Sequence, residues 1–287
     1  MKIGDYCIRK SYGGDVIFRV EQIDGHIAIL RGTEFRLIAD APLTDLTAVE
    51  EPNEHPAHQF HARFAEAREQ MNRFRKDQID KQMRTMQEAG IDSEYFEVPG
   101  KVLHLDGDAS YLRKSMDLYG KMKVPVEGHY VAEREMPEAL HRLLPMVKPD
   151  IVVITGHDGM LKKEHAESKY HLNSYKNSTH FVKAIKVARQ FEKNRDTMTI
   201  IAGACQSHFE ALLQAGSNFA SSPGRILIHA LDPVQIACKV AYTSIQESVN
   251  MLDVIRNTVS GLKGMGGIES RGSYRIGLPN LMNESAE

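Results

Sequence analysis

The stretch MTIIAGACQSHFE, residues Met198–Glu210, decides the fold predicted for this chain. An apolar run ends at Gly203, Cys205 follows it, and apolar residues then recur at helical spacing. A short apolar run closed by glycine is typical of a buried parallel strand. Cys205 is therefore predicted where a strand gives way to a helix, at the edge where open α/β sheets carry catalytic groups. We expect the positive end of that helix to favour the thiolate.

The stretch DIVVITGHDG, residues Asp150–Gly159, repeats this pattern with a histidine. An apolar run is followed by Gly156 and then by His157. Parallel strands end at a common edge of their sheet, and the spacing between His157 and Cys205 accommodates one helical crossover. The sequence therefore predicts a Cys–His nucleophile pair at this edge.

Composition limits the class of protein. The chain has 287 residues, of which 42% are hydrophobic and 26% charged, as expected for a soluble protein with one large and one small domain. The net charge of −2 predicts neither a nucleic-acid nor a membrane partner. No apolar run approaches the ~20 residues of a membrane span, and the N-terminus lacks a signal-peptide core, so we expect a cytoplasmic protein. Three cysteines, Cys7, Cys205 and Cys238, make no disulfide framework.

Three regions are predicted. Residues 1–50 show alternating short strands separated by glycine turns, which indicates a small SH3-like β-barrel. Residues 51–97 contain a proline-bearing linker and a charged helix, whose acids offset its bases and favour a solvated face over a nucleic-acid surface. In residues 98–287 strands alternate with helices, which predicts an α/β domain with a mostly parallel sheet covered by helices on both faces.

Local patterns within this α/β domain give further boundaries. Strands are predicted at Lys101–Leu105, Val124–Val131 and Arg225–Leu231. The glycine-rich stretches 263–267 and 272–279 are predicted to be irregular.

The order of the two chemical groups resembles that of the caspase-like cysteine peptidases, whose histidine lies about 50 residues before an Ala–Cys pair. Those enzymes place glycine directly after the histidine, whereas here Asp158 precedes Gly159. The resemblance implies a caspase-like sheet. It also implies an oxyanion site made by the backbone N–H of Cys205 with that of Asp158 or Gly159.

A closer resemblance extends over nearly the whole chain except the helical segment after the linker. The sequence resembles the YabG family of sporulation-specific cysteine peptidases in the blocks GDYCIRKSYGGDVIFRV (4–20), RLIAD (36–40), PGKVLHLDGDASYL (99–112), VITGHDG (153–159), AGACQSHFEALLQAGSNFASSP (202–223), IHALDPV (228–234) and GGIESRG (266–272). The resemblance implies a protease made in the mother cell, which processes spore coat and coat-morphogenetic proteins at the forming coat. It places the catalytic pair on His157 and Cys205.

Three acidic residues at predicted strand ends suggest the specificity. Asp106, Asp108 and Asp232 would form an acidic pocket that selects arginine or lysine before the scissile bond. Self-cleavage is then expected in the arginine-rich helix or the linker. The alternative is that these acids belong to turns and helix caps, as the Asp232–Pro233 pair before a helix indicates.

Other functional classes remain open at this point. Cys205-x-x-His208 with His157 and Asp158 could ligate a metal, but the chain has neither HExxH nor a CxxC pair, so no metal or other cofactor is expected. An amidase of the glutamine amidotransferase type is a second alternative, although there the histidine follows the cysteine. A non-enzymatic coat scaffold is the third, and a homo-oligomer is left open.

Overall fold

The computed structural model describes residues 1–50, 60–88, 95–161, 170–256 and 258–277. Residues 1–50 form an antiparallel sheet with the spatial order β4-β3-β2-β1-β5. Its strands are β1 Tyr6–Arg9, β2 Phe18–Asp24, β3 Ile27–Gly32, β4 Ile38–Pro42 and β5 Leu46–Ala48. Side chains that alternate along β2 and β3, among them Phe18, Val20 and Leu30, are buried in its core. The likeness of this sheet to an SH3 barrel stays a prediction.

The remaining described residues alternate helices with strands. In chain order these are α1 Phe60–Glu88, β6 Phe96–Val98, β7 Val102–Asp106, α2 Ala109–Met122, β8 Val126–Tyr130, α3 Met136–Val147, β9 Ile151–Thr155, α4 Ser178–Phe191, β10 Thr199–Ala202, α5 Phe209–Ala215, β11 Phe219–Ser221, α6 Asp232–Tyr242, β12 Ser248–Val249, α7 Met251–Arg256, α8 Gly261–Gly264, β13 Met265–Gly267, β14 Ser270–Arg271 and β15 Arg275–Gly277.

The central sheet has six strands in the order β13-β11-β10-β9-β7-β8. The pairs from β8 to β11 are parallel, and β13 joins β11 antiparallel. Alternate residues of β9 enter two hydrophobic clusters, one with α2 and α6 and the other with α3, α4 and α5. Burial on both faces explains the continuous apolar runs of these strands. The predicted α/β class, with a mostly parallel sheet covered on both faces, is confirmed, while the caspase-like detail stays a prediction.

The prediction of a strand at Arg225–Leu231 is wrong. Backbone groups of this segment bond to a turn and a loop instead of a ladder: Gln206 donates its N–H to the Ile226 carbonyl at 3.1 Å, and Ala230 donates to Glu34 at 2.8 Å. The segment is apolar because Ile228 and Ala230 are buried beneath those neighbours, which gives the same local pattern as a strand.

The glycine-rich stretches near the C-terminus are more regular than predicted. β13 pairs with β11, with Gly266 opposite Ala220, and β15 pairs antiparallel with β6. A β-carbon on Gly267 would lie 2.3 Å from the Asn218 carbonyl oxygen, so this pairing requires glycine. These glycines permit a close approach of two strands and do not mark an irregular segment.

The charged helix α1 packs on α6. Its residues Ala67 and Met71 are buried, and the Lys239 ammonium of α6 lies over the Phe74 ring. The exposed pair Arg73–Glu69 lies on the solvated face, as predicted. Linker residues 51–59 lie outside the described part of the chain. Within the described ranges no helix is both long and apolar enough to traverse a bilayer.

Candidate active site

His157 and Cys205 lie at the same edge of the central sheet. β9 and β10 are adjacent and parallel, with Ile154 opposite Ala202. His157 lies three residues after Ile154, and Cys205 lies three residues after Ala202. The parallel register therefore brings both residues to the carboxyl edge of the sheet.

A tight turn carries Cys205. Gly203 has φ 111°, and a β-carbon there would lie 2.8 Å from the Leu212 side chain, so the strand can end in this way only with glycine. Gln206, directly after Cys205, has a positive φ of 55°. Such non-glycine residues are uncommon, and the turn is held because the Gln206 N–H donates to the Ile226 carbonyl.

The thiol of Cys205 is enclosed. Its residue is 1% exposed, and the Ile228 N–H donates to Sγ at 3.3 Å. Burial raises the pKa of the Cys205 thiol to about 11, although backbone N–H groups and the Arg36 cation oppose the increase. The expectation that a helix end favours the thiolate is therefore wrong for this state. The following helix begins only at Phe209, and its N-cap is His208.

A thiol reagent should report this enclosure. In the intact native chain, Cys205 should react with iodoacetamide at least about 100-fold more slowly than an exposed cysteine, because both access and the thiolate fraction are low. Peptide mapping by mass spectrometry gives the rate at each cysteine, and denaturant should bring all three to a common rate. Rapid native labelling at Cys205 would contradict the enclosed geometry.

His157 is held from three sides. Its Nε2 lies 2.8 Å from Asp108 Oδ2 and its Nδ1 lies 3.3 Å from the Arg36 carbonyl oxygen, while its backbone N–H donates to Glu133 Oε1 at 2.7 Å. Burial lowers the pKa of the imidazole, and the Arg36 cation acts in the same direction. In the neutral ring that this pKa favours, the Nε2–H donates to Asp108 and Nδ1 keeps its lone pair, so Nδ1 and the Arg36 carbonyl are two acceptors in contact.

The backbone of Arg36 lies near the two catalytic candidates. Its carbonyl oxygen lies 3.3 Å from Nδ1 of His157, and its backbone N–H is close enough to the Cys205 thiol to lower the pKa of that thiol. The Arg36 peptide therefore lies near both the imidazole and the thiol.

The Arg36 side chain enters the sheet edge. It is 1% exposed, and its Nη1 donates to Asp106 Oδ1 at 2.7 Å. Its Nη2 and Nε donate to the Ala230 carbonyl at 3.1 and 3.3 Å. Burial alone would raise the pKa of Asp106, but Arg36 and His104 outweigh burial and hold that pKa below its usual range. Asp106 is therefore an ionised, buried acceptor for a guanidinium.

The other two acids of the predicted pocket have different partners. Asp108 caps α2 by accepting the Ser110 N–H at 2.8 Å, and it also contacts His157 and Arg31. Asp232 is fully buried, and it accepts the backbone N–H groups of Val259 at 2.8 Å and Ser260 at 3.1 Å. Asp232 is the first residue of α6, yet its carboxylate does not cap that helix. It bonds instead to the loop before α8, which contains Val259 and Ser260.

Asp232 gives a pH-dependent stability. Burial raises the pKa of its carboxyl group from 3.8 to about 6. The folded state then binds a proton more tightly than the unfolded state, so the free energy of unfolding falls as pH rises from about 4 to about 6. The difference is roughly 3 kcal/mol. Urea unfolding at pH 4.5 and 7 should show about 2 kcal/mol of this loss, and the loss should shrink in Asp232→Asn. If the free energy of unfolding fell equally in both proteins between these pH values, the raised pKa of Asp232 would not be its cause.

Asp158 connects the loops that carry the two catalytic candidates. Its carboxylate accepts the Asn177 N–H at 2.8 Å and the Ser207 hydroxyl at 2.9 Å, and it also accepts the Ser178 hydroxyl. Ser207 lies two residues after Cys205, so Asp158 positions the His157 loop relative to the Cys205 turn. These contacts give a structural reason for an aspartate directly after His157.

The backbone groups of the predicted oxyanion site lie in these loops. The Gly159 N–H donates to Asp158 Oδ1 at 2.9 Å, so it is already engaged by a carboxylate. The Cys205 N–H lies close enough to its own thiol to lower the pKa of that thiol.

A cleft of about 510 Å³ opens beside His157. Leu37 and Ile38, the residues that follow Arg36, lie along it, together with Glu133, Lys176 and His180. Arg36 also borders this cleft, while its guanidinium is bonded to Asp106.

The sequence did not identify Arg36 or Glu133 as site residues. Arg36 lies in a hairpin connection, where an arginine usually faces solvent. Its position in the RLIAD block was the signal that could have directed attention to it. Glu133 follows a strand end that carries no recognisable motif. Among the described residues, no group of three His, Cys, Asp or Glu side chains could hold a metal ion.

Comparison with known proteins gives two matches. The family model described as YabG peptidase U57 matches residues 2–279. The sporulation-specific protease YabG of Bacillus subtilis (strain 168) is 44% identical over 293 residues, which cover 98% of this chain and 99% of that protein.

Proposed function

Because the chain belongs to the YabG family of sporulation peptidases, we propose that it is a cysteine endopeptidase with Cys205 as nucleophile and His157 as its acid–base partner. One observation carries this proposal. Adjacent parallel strands, paired at Ile154 and Ala202, deliver His157 and Cys205 to the same edge of the sheet, where the Arg36 carbonyl lies 3.3 Å from the imidazole. A peptide bound at that position would have its carbonyl group between base and nucleophile.

The reaction follows from these positions. His157 takes the proton of the Cys205 thiol as the substrate binds, and Sγ attacks the scissile carbonyl carbon. The imidazolium then protonates the leaving amine, and water hydrolyses the thioester. Asp108, 2.8 Å from Nε2, orients the ring and stabilises its cationic form.

Backbone N–H groups stabilise the oxyanion in this proposal. Cys205 supplies one donor, and Asp158 or Gly159 supplies the other. The engagement of the Gly159 N–H by Asp158 Oδ1 supports the N–H of Asp158 as the second donor.

The specificity is for arginine, or lysine, before the scissile bond. Of the three candidate acids, Asp106 has the strongest support, because it already binds a guanidinium through Arg36. Asp108 is committed to His157, and Asp232 to the loop before α8. A buried carboxylate that accepts from a planar guanidinium discriminates against apolar side chains, because these would leave it without a partner.

The substrates are spore coat and coat-morphogenetic proteins, processed in the mother cell cytoplasm at the forming coat. The name of the Bacillus subtilis relative supports the link to sporulation. The choice of coat substrates rests on the resemblance in sequence blocks. Neither nucleic acid nor a membrane is proposed as a partner.

The test uses purified protein and coat extract from sporulating cells that lack this protease. Wild type is compared with Cys205→Ala and with Cys238→Ala, which removes a matched buried cysteine on α6. We expect wild type and Cys238→Ala to release fragments that end in arginine or lysine, and Cys205→Ala to release none. Mass spectrometry identifies the termini. Fragments made equally by Cys205→Ala would refute the mechanism, and fragments ending in apolar residues would refute the Asp106 pocket.

A further inference from the structure

The tip of the β3–β4 hairpin, residues Thr33–Leu37, is inserted into the candidate active site. The hairpin is closed by the Gly32 N–H, which donates to the Leu37 carbonyl at 2.8 Å. Peptidase residues contact the tip from several directions. Lys114 Nζ donates to the Thr33 carbonyl at 2.7 Å, and Phe35 forms an antiparallel bridge with His229. The insertion is therefore a built contact with several anchors.

Arg36 occupies the place proposed for the substrate residue before the scissile bond. Its guanidinium is buried, bonds to Asp106 and Ala230, and lies over the Tyr111 ring at 5.0 Å. These are the carboxylate, carbonyl and aromatic neighbours that a specificity pocket for arginine requires.

The main chain around Arg36 continues this correspondence. Its carbonyl oxygen lies 3.3 Å from Nδ1 of His157, and its N–H is close enough to the Cys205 thiol to lower the pKa of that thiol. The next residue, Leu37, enters the cleft beside His157. The tip thus places one residue in the acidic pocket and the next on the leaving-group side, in the direction a substrate would run.

We propose that the Arg36–Leu37 bond is a self-cleavage site, and that the hairpin tip is a built-in first substrate that keeps the active site closed until this bond is cut. This inference rests on the proposed peptidase function. It moves the expected self-cleavage from the linker and helix to the small N-terminal sheet.

The tip is held in a resting geometry. The Leu37 N–H donates to the Phe35 carbonyl at 2.7 Å, which places Arg36 at the apex of a tight turn. The Arg36 carbonyl contacts the imidazole rather than a pair of backbone N–H donors. Attack requires this turn to open, so the first cut should be slow and should follow first-order kinetics.

The chemical step needs no reagent besides water. The Cys205 thiol loses its proton to His157, a bond forms between Sγ and the Arg36 carbonyl carbon, and the bond from that carbon to the Leu37 nitrogen breaks. The proton on His157 passes to the Leu37 amine. Water then hydrolyses the thioester, which leaves a carboxylate on Arg36 and restores the thiol.

The experiment follows the full-length chain by intact mass while hydrolysis of a fluorogenic arginyl peptide is recorded. We expect fragments 1–36 and 37–287, a rate independent of protein concentration, and peptide hydrolysis that rises as the fragments appear. Cys205→Ala should stay whole. If the chain is already cut when isolated, the fragment masses identify the bond.

Two variants separate cleavage from opening. Leu37→Pro blocks the bond and removes the N–H that holds the turn, but the Arg36 guanidinium keeps its bonds to Asp106 and Ala230, so peptide hydrolysis should remain at its initial low level. Arg36→Gln removes the anchor, so hydrolysis should reach the full rate without delay and without a cut at this bond. Circular dichroism and urea unfolding check that both variants fold.

Several results would overturn the inference. A wild-type chain that hydrolyses the peptide at full rate with the Arg36–Leu37 bond intact would show that Arg36 is a structural anchor only. A Leu37→Pro variant that hydrolyses the peptide as fast as the cleaved wild type would also show that Arg36 is a structural anchor only. Both of these results leave the proposed peptidase function standing. If wild type and Arg36→Gln hydrolyse neither peptide nor coat protein, the proposed function fails, and the inference fails with it.

Discussion

Replacing His157 by alanine is expected to lower kcat for an arginyl peptide by about 10⁴-fold, and Cys205→Ala by at least as much. In the proposed mechanism His157 provides the acid–base step and Cys205 the bond to the substrate, so the two losses should not add in the double variant. Neither residue forms the Asp106 pocket, and we therefore expect KM to change by less than about threefold.

The kinetics are best measured on chains whose hairpin tip no longer blocks the site. The variants are made in the Arg36→Gln background, and His141→Ala, an exposed histidine on α3, is the matched control. The control should retain full kcat. Full activity in His157→Ala would remove the imidazole from the mechanism and would favour another base.

The second large effect concerns stability. Asp106→Ala is expected to lower the free energy of unfolding by about 3–5 kcal/mol, because it leaves the Arg36 guanidinium buried without its counter-charge. Both side chains of this pair have 0% exposure. The pKa of Asp106 is lowered, so the stabilisation is complete above its unfolded pKa, about 4, and is lost as pH falls below it.

Urea unfolding measures this effect, in the Cys205→Ala background so that the chain stays whole. The double variant Arg36→Met with Asp106→Leu should recover most of the loss, since apolar residues of similar volume remove both charges. Glu69→Ala, which breaks an exposed pair on α1, should cost less than about 0.5 kcal/mol. A cost below about 1 kcal/mol for Asp106→Ala would mean that water reaches the guanidinium.

The parallel core could be predicted because its signal is local. β9 and β10 are apolar runs closed by glycine, and burial on both faces of a sheet makes such runs continuous. The common edge of His157 and Cys205 followed from the crossover rule without any knowledge of the tertiary contacts.

The missed features depend on contacts between distant segments. Arg36 is a site residue only because the hairpin docks on Asp106, and nothing in the tip itself indicates this contact. Arg225–Leu231 has the composition of a strand because it is buried, but its backbone groups bond to Gln206 and Glu34 instead of a neighbouring strand. β13 is a strand whose glycines carry no alternating pattern, since the main chain of β11 decides the pairing.

The separation along the chain between Arg36 and its partners affects when activity can arise. Arg36 donates to the carbonyl of Ala230, 194 residues further on. The thiol of Cys205 accepts the N–H of Ile228, which lies in the same late segment. During synthesis the small N-terminal sheet can fold first, but the thiol cannot gain its full surroundings until that late segment has left the ribosome. In the proposed mechanism, a nascent chain therefore lacks a complete active site until that segment has emerged.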